Sequence, residues 1–170
     1  MPAAFRPARL FARRRPVARP PRASRVGSAA PELSGVTPAG DPVRIETGSG
    51  ARLVAAFLTS SCTTCGTFWT ALGTDGDPAM GAVATGAAGA PATEAADPAM
   101  VVVTPDPTTE DRRALARLAP ASTPVVMSTE GWIRWGVSGS PFFVVVADGT
   151  IVAEGVASDW GELLALIPAA

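Results

Sequence analysis

The chain has 170 residues, 47 % of them hydrophobic, and a formal net charge of −1, which favours one domain with its own core and room for a disordered flank. It contains no His and no Tyr. That excludes Ser-His-Asp and Cys-His nucleophile pairs, and any His-ligated zinc, haem or copper. The chief reactive side chains left are Cys62 and Cys65.

Residues 1–25 hold eight arginines and no acid, while the rest holds all fifteen acids against six arginines. A basic arm therefore leads an acidic domain. Every basic side chain is Arg, a bias that reads as genome composition. Residues 1–40 are rich in Pro, Arg, Ala and Ser and cannot offset chain entropy by burial, so they are expected to form a disordered Arg/Pro-rich arm. The plain reading of that arm is a solvated tail, and no nucleic-acid partner is expected. No run of 18 apolar residues exists, so no membrane span is expected. Arg13-Arg14-Arg15 is followed by no apolar segment, so no export signal is visible. The cytoplasm is the default location as written, and an upstream apolar anchor would place the protein outside it.

Order is expected over 41–170. Val43 to Ile45 reads as a short edge strand. Arg52 to Thr59 is a nearly continuous apolar run, suited to a central strand covered on both faces. Thr59-Ser60-Ser61 supplies hydroxyls at a helix start. Cys65, Phe68, Trp69 and Leu72 then fall on one helical face. Residues 73–99 are Gly, Ala, Pro, Thr and Asp without periodicity, a low-complexity insert. Met100 to Thr104 is a second buried strand. Thr108 is placed to cap a helix to about Leu118, with Asp111 three residues on. Pro124 to Met127 is extended, and Trp132 to Trp135 makes one helical turn. Phe142 to Val146, Asp148-Gly149 and Ile151 to Val156 read as a β-hairpin. Asp159 and Glu162 open a last helix whose stripe is Trp160, Leu163, Leu164 and Ile167. The order predicts an α/β fold: a central mixed sheet, parallel in its first half and antiparallel in its second, with helices on both faces.

The Cys62-Thr63-Thr64-Cys65 motif follows a buried strand and opens a helix. The helix N-terminus has unpaired N–H groups and a positive dipole, which favour a thiolate on Cys62. The thiolate is the attacking species in disulfide exchange. One helical turn is roughly 5 Å and a disulfide needs Cα atoms about 4.4–6.8 Å apart, so the two sulfurs can meet. Cys62 at the open end would attack, and Cys65 on the buried stripe would resolve. Two cysteines without His leave a zinc short of ligands, so no metal is expected in a monomer; a dimer-bridging metal and an inert structural disulfide are the bland rivals.

Val137-Ser138-Gly139-Ser140-Pro141 directly precedes the FFVVV strand. With the C-x-x-C context it resembles the thioredoxin superfamily over residues 42–167. The segment LVAAFLTSSCTTCGTFW is most similar to bacterial TlpA-like proteins and to the thioredoxin-like accessory protein of methylamine dehydrogenase maturation, which carry F-L-S/T-x-x-C-x-x-C. The resemblance implies a thioredoxin fold and exchange of dithiol and disulfide with a protein partner, with no bound cofactor. It implies a cis Ser140–Pro141 bond packed against the cysteines. Ser140 and Pro141, with Ser61 before the first cysteine, would then line the substrate site.

Several positions depart from thioredoxin itself. Ser61 replaces an aromatic residue, Thr63-Thr64 replace Gly-Pro, and Ala56 stands where a buried acid would be; the chain has no lysine. Glu154 and Asp148 are the acids offered in place of the missing one. These departures count against a general disulfide reductase and leave exchange with a restricted protein partner, with the chain expected to be a monomer. A non-catalytic thioredoxin-fold binding or scaffold module is the alternative. Trp69, Trp132, Trp135 and Trp160 are read as packing residues.

Overall fold

A computed structural model describes residues 23–48, 50, 52–73, 98–120 and 122–169. Residues 1–22 of the expected arm and 74–97 of the expected insert lie outside them. Seven strands and four helices follow in the order β1 (Leu33–Val36), β2 (Pro42–Ile45), β3 (Arg52–Phe57), α1 (Thr63–Gly73), β4 (Ala99–Thr104), α2 (Arg112–Leu118), β5 (Val125–Met127), α3 (Thr129–Arg134), β6 (Phe142–Ala147), β7 (Thr150–Gly155) and α4 (Trp160–Leu166).

The strands form one sheet in the order β2-β1-β5-β4-β3-β6-β7. β3 pairs in parallel with β4, and β4 with β5; β6 runs antiparallel to β3, and β7 to β6. The expected mixed sheet is therefore present. Central strand β3 shows why its sequence is apolar throughout. Val54, Ala56 and Leu58 face one core with Cys65, Phe68, Leu115 and Leu163, so α1, α2 and α4 cover that side. Leu53, Ala55 and Phe57 face a second core with Trp135 and Val137, beside α3. Alternate side chains of a strand point to opposite faces, so a strand covered on both must be apolar at every position. Among the described residues no helix is long and apolar enough to cross a membrane.

Order starts earlier than the sequence reading placed it. Leu33 to Val36 forms β1, paired with β2 from Leu33↔Ile45 to Val36↔Pro42 and with β5 at Val36↔Met127. The reason is tertiary: Leu33 is fully buried, and a Cβ at Gly35 would collide with the Met127 carbonyl oxygen. Glycine thus permits β1 to lie against β5. Further upstream, the Gly27 N–H donates to the Ile151 oxygen at 2.8 Å, and the Ala30 N–H to the Gly149 oxygen at 2.8 Å. This segment occupies backbone groups on the edge of β7.

The helix ends also correct the sequence reading. The cap of α2 is Asp111, not Thr108: Asp111 Oδ1 accepts from the N–H groups of Arg113 (2.8 Å) and Ala114 (3.3 Å). Thr108 instead donates its own N–H and hydroxyl to Asp106 Oδ1. The turn predicted at Trp132 is the end of α3, which starts three residues earlier because Ser128 Oγ accepts from the Gly131 N–H at 3.0 Å. Replacing Ser128 by alanine is expected to cost about 1 kcal/mol, read as a lower urea midpoint at unchanged slope. In the hairpin turn Asp148 (φ 50°) and Gly149 (φ 75°) are both left-handed, the backbone a two-residue type I′ turn requires. In α4, Leu163 is buried but Leu164 is 40 % exposed. Leu166, which the expected stripe did not include, packs against the first core in place of Leu164, with Trp160 and Ile167.

Candidate active site at the strand-to-helix turn

Strand β3 ends at Phe57, and the chain crosses Leu58 to Ser61 before α1 begins at Thr63. Cys62 is the residue that caps this helix. Its carbonyl accepts the first helical bond, from the Gly66 N–H at 3.2 Å. Its sulfur accepts from the Cys65 N–H at 3.2 Å. Sulfur thus fills the role a serine or aspartate oxygen usually fills. Two of the three hydroxyls expected at the start of α1 are used elsewhere: Ser60 Oγ donates to Glu110 Oε2 at 2.5 Å, and Thr59 Oγ1 lies 3.4 Å from Ser140 Oγ.

Both cysteines are free thiols, and their surroundings separate their acidities. Burial disfavours a charge on Cys62, but hydrogen bonds outweigh it. They come from the Cys65 side chain and N–H, the Ser140 hydroxyl and the Thr64 backbone, and the net effect holds the thiol below its ordinary value. Cys65 goes the other way. Burial pushes it up first, its hydrogen bond to Cys62 adds to this, and the result is about 11, opposed only in part by a Thr59 backbone bond and the Ser140 hydroxyl. Cys62 is half-buried and Cys65 fully buried. The expected attacking and resolving positions are therefore distinct in exposure and in acidity.

The downstream loop closes over the pair. The Ser140–Pro141 bond is cis, and the Cys62 thiol lies 3.9 Å from the Ser140 carbonyl oxygen, to which it donates. Ser140 is half-buried, Pro141 buried and Ser61 exposed. The structure thus brings Cys62, Cys65 and Ser140 into contact, with Pro141 following directly and Ser61 on the open rim. Trp132 and Trp135 pack instead on Phe57, with ring centroids at 5.6 Å and 5.8 Å. Trp69 is buried in the first core and donates its Nε1–H to the Thr59 carbonyl at 3.2 Å.

Neither acid proposed as a substitute can serve Cys65. Glu154 lies opposite Val144 in the β6–β7 register, and Val144 faces the second core, whereas Cys65 faces the first. Its Oε1 accepts from the Arg25 N–H at 2.8 Å. Asp148 sits at the hairpin tip and accepts from the Gly50 N–H at 3.0 Å. The tip lies beyond Ala147, which pairs with Arg52 at the far end of β3, so roughly 17–20 Å of strand separates it from the cysteines. Ala56, at the position of the missing acid, is fully buried in the core that holds Cys65.

The acid that does reach this turn is Glu110, which the sequence reading passed over. It lies fifty residues from Ser60 in the chain, and no local pattern marks the pairing. Thr59 was likewise read only as a helix-start hydroxyl. Its side chain meets Ser140, its carbonyl meets Trp69, and its backbone bonds Cys65.

A C-x-x-C pair capping a helix beneath a cis-proline loop, on a mixed sheet with helices on both faces, defines a thioredoxin fold. No family model matches the chain, and no curated protein matches it. Solved structures do. The crystal structure of the pneumococcal exposed lipoprotein thioredoxin from Streptococcus pneumoniae superposes with a TM-score of 0.58 at 14 % identity, covering 80 % of this chain and 98 % of that one. The thioredoxin domain of a thiol-disulfide oxidoreductase from Bacteroides vulgatus gives 0.53 at 14 % identity, covering 86 % and 100 %. A thiol:disulfide interchange protein of the thioredoxin family from Chlorobium tepidum gives 0.51 at 18 % identity, covering 79 % and 89 %.

Proposed function

We propose that this protein is a thiol–disulfide oxidoreductase that exchanges electrons with a restricted protein partner through Cys62 and Cys65. The observation that carries the reading is the split between the two thiols: one caps a helix and is acidified, the other is buried and pushed up to about 11. The structural neighbours named as thiol-disulfide oxidoreductases support it.

In the reducing direction, the Cys62 thiolate attacks one sulfur of a substrate disulfide. That S–S bond breaks, a mixed disulfide forms, and one substrate sulfur leaves as thiolate. Cys65 then loses its proton and attacks Cys62 Sγ. The mixed disulfide breaks, the second substrate thiolate leaves, and a Cys62–Cys65 disulfide remains. Two electrons have passed to the substrate, and its two thiolates take up protons. The reverse sequence oxidises a dithiol. Ser140, Pro141 and Ser61 border the open side of Cys62 and form the lip on which an extended substrate segment would rest.

The partner is restricted on this reading because no aromatic residue stands at Ser61 and no acid at Ala56. Likeness to TlpA-like proteins and to the methylamine dehydrogenase accessory protein rests on the F-L-T-S-S-C-T-T-C segment. One of the structural neighbours is by name an exposed lipoprotein; a like setting for this chain would place it in an oxidising compartment, where protein disulfides persist.

The test is the pH dependence of alkylation of the reduced protein, paired with its equilibrium against glutathione. Cys62 is expected to react with a midpoint below the free-cysteine value of about 8.5, with Cys65 reacting only at high pH. The pair should also equilibrate with glutathione as a two-electron couple. A Cys62 midpoint at or above the free value, with no equilibration, overturns the function.

A further inference from the structure

We propose that Glu110 is a positioning residue for the cysteine pair: its buried carboxylate holds Ser60, and through Ser60 the turn that sets Cys62 and Thr59 in place. The inference rests on the thiol–disulfide reading and names the acid that organises that site.

Glu110 is 7 % exposed, the one charged side chain among the buried residues described. No cation bridges it among the described residues. A carboxylate withdrawn from water is costly unless donors compensate. Here the donors all belong to Ser60. Its hydroxyl donates to Oε2 at 2.5 Å, and its N–H is shared between Oε1 and Oε2 at 3.3 Å each. Hydrogen bonds to an ionised acceptor are the strong kind.

The far side of this link is braced. Glu110 closes the turn between β4 and α2, where its N–H and that of Thr109 both donate to the Asp106 carbonyl at 3.0 Å. The Asp106 N–H donates to Thr129 Oγ1 at 3.0 Å, tying that turn to α3. Asp111, the next residue, caps α2. Glu110 therefore acts from a fixed platform.

The near side leads to both sulfurs. Ser60 stands two residues before Cys62, and its neighbour Thr59 bonds Cys65 through its backbone and meets the Ser140 hydroxyl. Thr59 is held from α1 by Trp69 and from the proline loop by Ser140. Ser60 is held by Glu110 alone among the bonds described. Releasing it frees the backbone that aims the N-cap sulfur at the Cys65 N–H.

Positioning and plain electrostatics predict opposite signs. Removing a nearby negative charge eases ionisation of Cys62 and moves its midpoint down. Loosening the cap removes hydrogen bonds from the thiolate and moves it up. The experiment measures the Cys62 midpoint by alkylation against pH in the full reduced chain, for wild type, Glu110→Ala, Glu110→Gln and Ser60→Ala, with thermal unfolding alongside. Glu110→Ala is expected to raise the midpoint so that thiolate at fixed pH falls about threefold or more, half a unit of pKa. Glu110→Gln keeps one oxygen acceptor and should shift less, in the same direction; Ser60→Ala should follow Glu110→Gln. If Glu110→Ala does not fold, the other two variants carry the test. A midpoint that stays or falls in the variants, whatever happens to the melting temperature, overturns the proposal. Failure of the wild type to exchange with glutathione is a separate result, which sinks the redox function while leaving the Cys62 midpoint to decide this point.

Discussion

Replacing Cys65 by serine is expected to convert the protein into a trap: it should accumulate mixed disulfides through Cys62, whereas Cys62→Ser should abolish exchange to background. The asymmetry follows from the site. Cys62 is half-open and its thiolate is stabilised by hydrogen bonds at the N-terminus of α1. The variant lacking Cys65 keeps that nucleophile and loses only the group that releases the partner. Serine at position 65 cannot supply it, because a hydroxyl does not ionise in this range. The variant lacking Cys62 leaves a fully buried thiol whose ionisation burial still disfavours and whose sulfur a partner disulfide cannot reach. Non-reducing electrophoresis against a disulfide-bearing protein reads both outcomes, and Cys65→Ala controls for the hydroxyl introduced into the core. Equal trapping by the two single variants would reverse or erase the roles. In the wild type the resolving rate should keep rising with pH after the attacking rate has levelled off, since Cys65 is the thiol still losing protons.

Phe143→Ala carries the largest expected cost in stability, about 3–5 kcal/mol. Phe143 is fully buried in β6, an interior strand between β3 and β7, and its ring stands against Phe68 of α1 with centroids 4.8 Å apart. Truncation removes the transfer energy of the ring and leaves a cavity that neighbouring side chains fill only in part. A typical domain has only about 5–15 kcal/mol in hand, so the variant should lose much of its stability. The cavity would also reach the site, because Phe68 lies three residues after Cys65 on the same buried face. Urea unfolding measures the first effect. A loss under about 1 kcal/mol would mean that this core is not packed at ordinary protein density. A second expected consequence is broadened reactivity of Cys65 toward alkylating reagents in the folded variant.

The legibility of this protein varied with the range of the interaction. The apolar runs of β3, β4 and β6 were readable because a strand covered on both faces leaves no position for a polar residue. The α1 stripe, the Asp148-Gly149 turn and the Asp159 cap were readable because each depends on residues within a turn or two. The cap of α2 and the start of α3 were each misplaced by three residues. Several Thr, Ser and Asp side chains compete there for the same N–H groups, and the winner is settled by the turn at Asp106 and by the seating of Ser128. β1 was missed because LSGV carries little apolar pattern of its own; it is a strand because β2 and β5 flank it.

By itself, then, the sequence determined the C-x-x-C pair at a strand-to-helix turn, the helix that separates an open cysteine from a buried one, and the order of elements behind a mixed α/β sheet, since spacing and periodicity encode these locally; the proline loop was legible only through the resemblance to a known family. The tertiary structure alone decided which groups surround the sulfurs. It placed Glu154 on the wrong face and Asp148 at the wrong end, and it brought Glu110 from fifty residues away to Ser60. Burial, acidity and hydrogen bonding of a thiol depend on neighbours in space, and those neighbours come from segments that no local pattern relates.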